Sequence, residues 1–387
     1  MKSRKYVLAI IIIAQFFCTS LWFAGNAILD QLTEQLTLAN NALANSTIAV
    51  QLGFIVGTFI FALLTLADRY PPSRIFFYCS ILGAVCNFGL LWPENTISSI
   101  LIIRFLTGFF LAGIYPIGMK IAADYYEKGL GKSLSLLVGA LVLGTALPHI
   151  INSIPSFSST HLVIIATSSL ALIGGTIMVL FVPRGPYSIS QKQFKFGALK
   201  TIFLDRNFNR AALGYFGHMW ELYTFWTYVP ILITYYATTN QAANFNISLT
   251  SFSIIAIGSL GCIIGGTLST KFESKKIAII ALSISGFCCL ISPFIFQQSP
   301  LVFIVFLMIW GMSVIADSPL FSSLVANNTT PQLKGTALTI VNCIGFSITI
   351  ISIQMVSYLS EIFSIQYLLI SLAIGPLIGL LAMRKFR

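Results

Sequence analysis

The sequence predicts an all-α membrane protein, with twelve transmembrane helices arranged as two pseudo-symmetric six-helix bundles. Composition, the placement of charge and internal repetition each point there. The 387 residues are 57% hydrophobic and 9% charged, with a mean hydropathy of +0.89, far from the roughly 25% charged residues of soluble domains. Of the 22 lysines and arginines, all but Arg104 fall at the ends of the chain or in alternate connections between apolar segments. They are Lys2, Arg4 and Lys5; Arg69 and Arg74; Lys120, Lys128 and Lys132; the stretch Arg184 to Arg210; Lys271, Lys275 and Lys276; Lys334; and Arg384, Lys385 and Arg387. Basic side chains are retained on the cytoplasmic side of a bilayer, so this pattern sets both termini in the cytoplasm and makes the number of spans even.

Each span takes about 20 apolar residues, and twelve fit the chain with short loops between them. The first, 6–28, follows a basic start. Its apolar run is too long for a signal peptide, and no A-x-A-like cleavage site follows cleanly. The others are expected at 48–67, 75–92, 98–121, 133–153, 162–183, 211–236, 250–270, 277–296, 301–325, 335–358 and 364–383. Pro, Gly, Asn and charged residues separate them, as in Trp92 to Asn95 and Arg184 to Pro186. The longest polar stretch divides an N-terminal bundle (1–190) from a C-terminal one (211–387), with a cytoplasmic central loop at 191–210. The net charge of +11 lies on the cytoplasmic connections, where the anionic headgroups of the lipid bilayer are the expected partners. Basic residues dispersed among apolar spans exclude nucleic acid. The seven cysteines lie in apolar segments without metal-ligand spacing, so neither a disulfide, a metal nor a cofactor is expected.

The two halves read as copies. Gly108 and Pro116 in span four match Gly311 and Pro319 in span ten at an offset of 203 residues, and Gly131-Lys132-Ser133-Leu134 resembles Gly335-Thr336-Ala337-Leu338 at 204. Leu66 to Arg69 and Leu268 to Lys271 close spans two and eight in the same way. A duplicated six-span unit is the construction of a large class of secondary transporters.

With these residues in view, the chain resembles transporters of the major facilitator superfamily over its whole length. The loop Leu64 to Arg74 is similar to that family's G-x-L-a-D-r-x-G-r loop, keeping Asp68 and Arg69 but placing Leu64 and Pro71 at its two glycines. Gly265 to Lys276 is the second copy, with Gly266 kept and Thr270 at the acid. Arg104 to Gly113 resembles the family's arginine-bearing fourth helix. The resemblance implies that spans one, four, seven and ten line a central cavity, and that Asp68 and Arg69 form a conformational latch on the cytoplasmic side. Within the superfamily, spans four and five resemble the cyanate and nitrate/nitrite group, although the arginines a nitrate carrier should have in spans two and eight are missing. The family's proton antiporters often have a fifth helix ending in Gly-Pro; here Leu147 precedes Pro148, which favours uptake over drug efflux.

Several span residues carry the candidate chemistry. Arg104, Thr107, Gly108, Leu111 and Tyr115 are spaced to share one helical face, and a guanidinium offers a permanently charged planar fork suited to oxyanions. Arg104 is thus either a solute anchor or a tether to carbonyls or an acid. In span one, Gln15, Thr19, Trp22 and Asn26 make a polar stripe, which must face protein or water rather than lipid. Gln15, Thr19, Asn26, Arg104, Thr107 and Tyr115 are the expected substrate-binding set. His149, Asn152 and Asn342 are further possible donors. In span seven, His218 and Glu221 share a face; burial in apolar surroundings disfavours the charged form of an ionisable group, so a buried carboxyl can gain and lose a proton, as coupling requires. Asp317 in span ten is either a third coupling residue or a helix cap before Pro319. The remaining aromatics, including many of the 32 phenylalanines, are expected mostly as lipid-facing bulk.

The expected function is secondary transport of a small polar or anionic solute by alternating access, as proton-coupled uptake by a monomer in the bacterial inner membrane. Proton-coupled efflux of a drug or metabolite is the alternative. No G-x-x-x-x-G-K-[ST] loop is present to drive the cycle with ATP. A polytopic membrane enzyme is disfavoured, because His218-x-x-Glu221 is neither H-E-x-x-H nor part of a larger ligand cluster.

Overall fold

Long apolar runs punctuated by Pro, Gly and capping residues form helices throughout. The computed structural model describes residues 2–28, 42–125, 130–154, 160–187, 202–240, 245–330 and 333–384, and no strand occurs among them. The twelve helical segments are α1 (Lys2–Thr19), α2 (Ala42–Leu63), α3 (Pro72–Leu91), α4 (Ile97–Tyr125), α5 (Leu130–Ser153), α6 (Thr160–Phe181), α7 (Arg206–Thr239), α8 (Ile247–Leu268), α9 (Ser274–Ile295), α10 (Pro300–Asn327), α11 (Lys334–Leu359) and α12 (Ile365–Arg384). Ten are long and apolar enough to cross a membrane, and α1 adds the shorter apolar stretch Tyr6–Thr19. α7 stands outside that ten, with its polar residues spread over 34 positions.

Local chemistry explains the helix ends. Thr96 and Ser99 form a capping box at the start of α4, satisfying amides that would otherwise lack partners. The Asn246 side chain caps α8. The Asp205 carboxylate accepts from the Phe208 amide at 2.7 Å, so α7 begins at Arg206, inside the expected central loop. Residues 191–201 of that loop lie outside the described residues.

The chain divides into two compact units, Met1–Phe194 and Lys195–Arg387. Inside each, helices pair in the same pattern. α2 packs on α4, α1 on α5 and α6, and α3 on α4 and α6; correspondingly α8 packs on α10, α7 on α11 and α12, and α9 on α10 and α12. Two of the close glycine contacts repeat residue for residue. A methyl group on Gly108 would overlap the Val50 carbonyl oxygen, and one on Gly311 would overlap that of Ile254. From the other side, Gly57 lies against the Phe109 carbonyl and Gly261 against that of Met312. Small residues that let two backbones approach are the usual means of joining helices where lipid removes the hydrophobic drive between them.

Besides α1, three helices break. α4 tightens at Ala112 to Ile114 ahead of Pro116, α10 breaks at Asp317 ahead of Pro319, and α8 breaks at Ile257. A proline has no N–H to offer the carbonyl four residues back. At Pro319 that carbonyl belongs to Ile315, and it accepts instead from the Cys262 thiol at 3.6 Å. α1 departs from the continuous span expected at 6–28: it stops at Thr19, and a short turn of helix, Ala24–Ala27, follows.

A buried acid–histidine cluster and a tethered arginine as candidate functional site

In the C-terminal unit, α7, α9 and α10 bring all three expected coupling residues into one buried cluster. His218 and Glu221 are one turn apart on α7 and are each 1% exposed, and Asp317 is fully buried. His218 Nδ1 lies 2.8 Å from Asp317 Oδ1, close enough for an ion pair. Asp317 occupies the break in α10. Its main-chain carbonyl accepts from the Leu320 and Phe321 amides, while its side chain makes no capping bond and is directed to His218 instead. The cap reading of this carboxylate therefore gives way to the pair with His218.

Glu221 has its own set of donors. The Ser285 hydroxyl reaches Oε2 at 3.0 Å, the Cys289 thiol reaches Oε1 at 3.4 Å, and the Trp310 indole N–H also donates to Oε1. Trp310 is fully buried and stacks on Phe225, with ring centres 4.6 Å apart. Buried carboxylates are tolerated when hydrogen-bonded, and these three donors meet that need. The sequence reading did not single out Ser285, Cys289 or Trp310. A buried tryptophan needs an acceptor for its N–H, but which acceptor it finds emerges only from the packed helices. The expectation that the remaining aromatics are lipid-facing bulk fails here, since Trp226, Phe225, Phe321 and Phe303 are also buried.

The N-terminal unit treats its charge differently. Arg104 is fully buried on α4 and reaches the broken end of α1. One terminal nitrogen donates to the Leu21 carbonyl at 3.1 Å; the other donates to the Trp22 carbonyl and, at 3.4 Å, to Asn26 Oδ1. Carbonyls at a helix end lack donors from their own helix, and the guanidinium supplies them. Asn26 in turn donates to Thr47 on α2 at 2.7 Å. Gly25 lies flat on the arginine, where an added Cβ would come within 2.8 Å of Nε. This is the geometry of a tether, the second of the two readings open from the sequence.

The other expected solute contacts disperse around α1. Gln15 is fully buried against Gly118, with both amide atoms unpartnered among the described residues. Thr19 donates to the Gln15 carbonyl and packs against Gly144, while Thr107 donates to the Ile103 carbonyl of its own helix. Tyr115 is half-buried beyond the tightened turn of α4. Asn152 donates to the Ala27 carbonyl at 2.9 Å, and Asn342 is buried on α11.

At the other end of α4, Lys120 Nζ pairs with Asp68 at 2.9 Å and approaches Asp124 at 4.0 Å. Arg69 is exposed. The turn that carries Asp68 starts at Thr65, the one described non-glycine residue with positive φ, at 49°.

Comparison with known proteins agrees with this architecture. The family model described as Major Facilitator Superfamily matches residues 11–353. A crystal structure of a point mutant of the nucleoside transporter NupG superimposes with a TM-score of 0.73 at 12% identity, covering 98% of this chain and 99% of that one; at that identity the likeness is one of fold. No curated protein sequence matches significantly. The duplicated six-helix units and the match over most of the chain lead to one conclusion: this protein belongs to the Major Facilitator Superfamily and is a secondary transporter rather than an enzyme.

Proposed function

We propose that the protein is a proton-coupled symporter that takes up a small polar or anionic solute by alternating access, with Glu221, His218 and Asp317 handling the proton. The observation that carries this reading is the acid–histidine–acid cluster itself. Two carboxyl groups and an imidazole sit buried together among apolar spans, where ionisable groups are costly and as a rule functional. Such a cluster can exchange protons internally: Asp317 and His218 can share one across 2.8 Å, and Glu221 can take or release another among its hydrogen-bonding neighbours. Gln15, Thr19 and Asn26 on α1, with Thr107 and Tyr115 on α4, are the proposed solute contacts. Arg104 holds the broken end of α1 that presents them. Asp68 with Lys120, and Arg69 beside it, act as the cytoplasmic latch. The termini lie in the cytoplasm of a bacterial inner-membrane protein, as the distribution of basic residues implies.

Purified protein in liposomes containing a pH-sensitive dye provides the test. External uridine, D-glucose, L-lactate and cyanate are added in turn; uridine is included because of the likeness to a nucleoside transporter. Symport acidifies the lumen as solute enters. Lumenal alkalinisation would instead establish antiport and the efflux reading. Solute accumulation without any pH change would refute proton coupling.

A further inference from the structure

Among the described residues, the buried charged side chains Arg104, Glu221 and Asp317 face groups of their own halves. Arg104 serves Leu21, Trp22 and Asn26 through its terminal nitrogens, while its Nε lies against Gly25 without a partner among the described residues. It is also the one buried lysine or arginine among the described residues. Asp317 faces His218, and Glu221 has three donors. An anionic solute would therefore find, among the described residues, no buried cation with free terminal nitrogens, and two buried carboxyl groups in the C-terminal half.

The unpartnered groups around α1 are of another kind. Gln15 on α1 and Gln51 on α2 are both fully buried, and neither amide has a hydrogen-bond partner among the described residues. On α5, Thr145 Oγ1 and His149 Nε2 are buried and unpartnered in the same way. All four lie along the segment from Gln15 to Phe23, the end of α1 and the turn that follows it. Gln51 is one turn before Phe54, whose ring meets Trp22 at 4.9 Å. Thr145 follows Gly144, which packs on Phe16 and Thr19. His149 meets Phe23 edge-on, with ring centres 6.5 Å apart. Buried polar groups in folded proteins are nearly always hydrogen-bonded, and each exception asks for an explanation. Among the buried polar groups without partners, these four, two of them primary amides offering both donors and an acceptor, gather on three helices at the end of α1 with their hydrogen-bonding capacity left for a ligand.

We infer that the N-terminal half recognises a neutral solute bearing hydroxyl or amide groups, through Gln15, Gln51, Thr145 and His149, and that it selects against anions. This rests on the transporter reading above and narrows its solute class. An amide side chain matches hydroxyls and carbonyls without requiring charge, and a site built from such groups rejects analogues that leave them unpaired.

The test is thermal stabilisation of the purified full chain in detergent, where a ligand of the native state raises the midpoint by mass action. Two matched sets serve as probes: uridine with uridine 5′-monophosphate, and D-glucose with D-gluconate and D-glucosamine. The expected result is saturable stabilisation by the neutral member of at least one set, with its charged counterparts at least about tenfold weaker. Gln15→Met and Gln51→Met, near-isosteric changes that remove the amide, are each expected to weaken that neutral ligand about tenfold or more while leaving the ligand-free midpoint unchanged or higher. The inference is overturned if no neutral probe binds, if a charged counterpart binds as well, or if both methionine variants retain full affinity. Binding in detergent needs no proton gradient. Loss of solute-driven proton movement with binding intact would break the coupling assignment alone.

Discussion

In the N-terminal half, the buried charge is a guanidinium that closes the end of a broken helix. In the C-terminal half, it is a carboxyl group paired with an imidazole, and a second carboxyl one turn away held by a ring of donors. The scaffold beneath is the same. At the 203-residue offset that aligns Gly108 with Gly311, Arg104 aligns with Leu307, Thr107 with Trp310 and Ile114 with Asp317. The glycines that seat α4 on α2 and α10 on α8 repeat, and the side chains that carry charge do not. A side chain at Gly108 or Gly311 would meet a facing carbonyl, and both copies keep glycine there. Positions that reach past the contact differ: one half carries a tether, the other a buried acid–histidine pair and a second carboxyl.

The sharpest way to break this comparison is to give the N-terminal half its partner's residue. Arg104→Leu removes donors from two buried carbonyls and from Asn26. At roughly 1–3 kcal/mol for each buried group left unsatisfied, the native state should lose about 3 kcal/mol or more, read as a lower unfolding midpoint in detergent. Arg104→Lys should recover little, since an ammonium cannot span the fork. Normal stability in Arg104→Leu would dissolve the tether.

The shared scaffold is tested by Gly108→Ala and Gly311→Ala. Each forces a methyl group into a facing carbonyl oxygen, and overpacking of this kind costs about 1–3 kcal/mol. The two losses should be similar, because the contacts are copies; a large loss in one half alone would show that the repeat is not equivalent there. Asp317→Asn should act on function more than on folding. With the charge of the His218 partner removed, accumulation driven by a pH gradient should fall about tenfold, within the usual range of coupling energies. Its N-terminal counterpart Ile114→Asn should leave the proton dependence of transport unaltered, measured in the same vesicles. The smallest effect is a gain. Thr65 holds a β-branched side chain at φ 49°, a conformation that costs on the order of 1 kcal/mol, so Thr65→Gly should raise the midpoint by a correspondingly small amount.

Much of this was legible before any coordinates. Twelve apolar runs, the alternation of basic connections and the Gly108/Gly311 register were enough for two six-helix units, because lipid leaves backbone groups no partners except their own helix. His218, Glu221 and Asp317 stood out because charge is rare in such runs. The break in α1 did not. Residues 19–24 contain neither proline nor glycine, and the interruption is met by an arginine some eighty positions away. Tertiary contacts of that range have no local pattern. Trp310, Ser285 and Cys289 were missed because each passes for an ordinary span residue until Glu221 is placed beside it. Gln51 fell outside the candidate set for a related reason: one amide in a run of apolar residues makes no periodic stripe, and its isolation from partners is visible only in the packed structure.

The central claim is that proton coupling resides in the C-terminal cluster, and it is tested most directly on Glu221→Gln in proteoliposomes. Two rates are measured with the solute identified in the binding screen: accumulation driven by an inward proton gradient, and counterflow exchange at equal pH on both sides. The account predicts that gradient-driven accumulation disappears, while counterflow continues at near wild-type rate and becomes independent of pH. Accumulation that persists in response to the gradient would remove Glu221 from the coupling step and contradict the division of labour between the two halves.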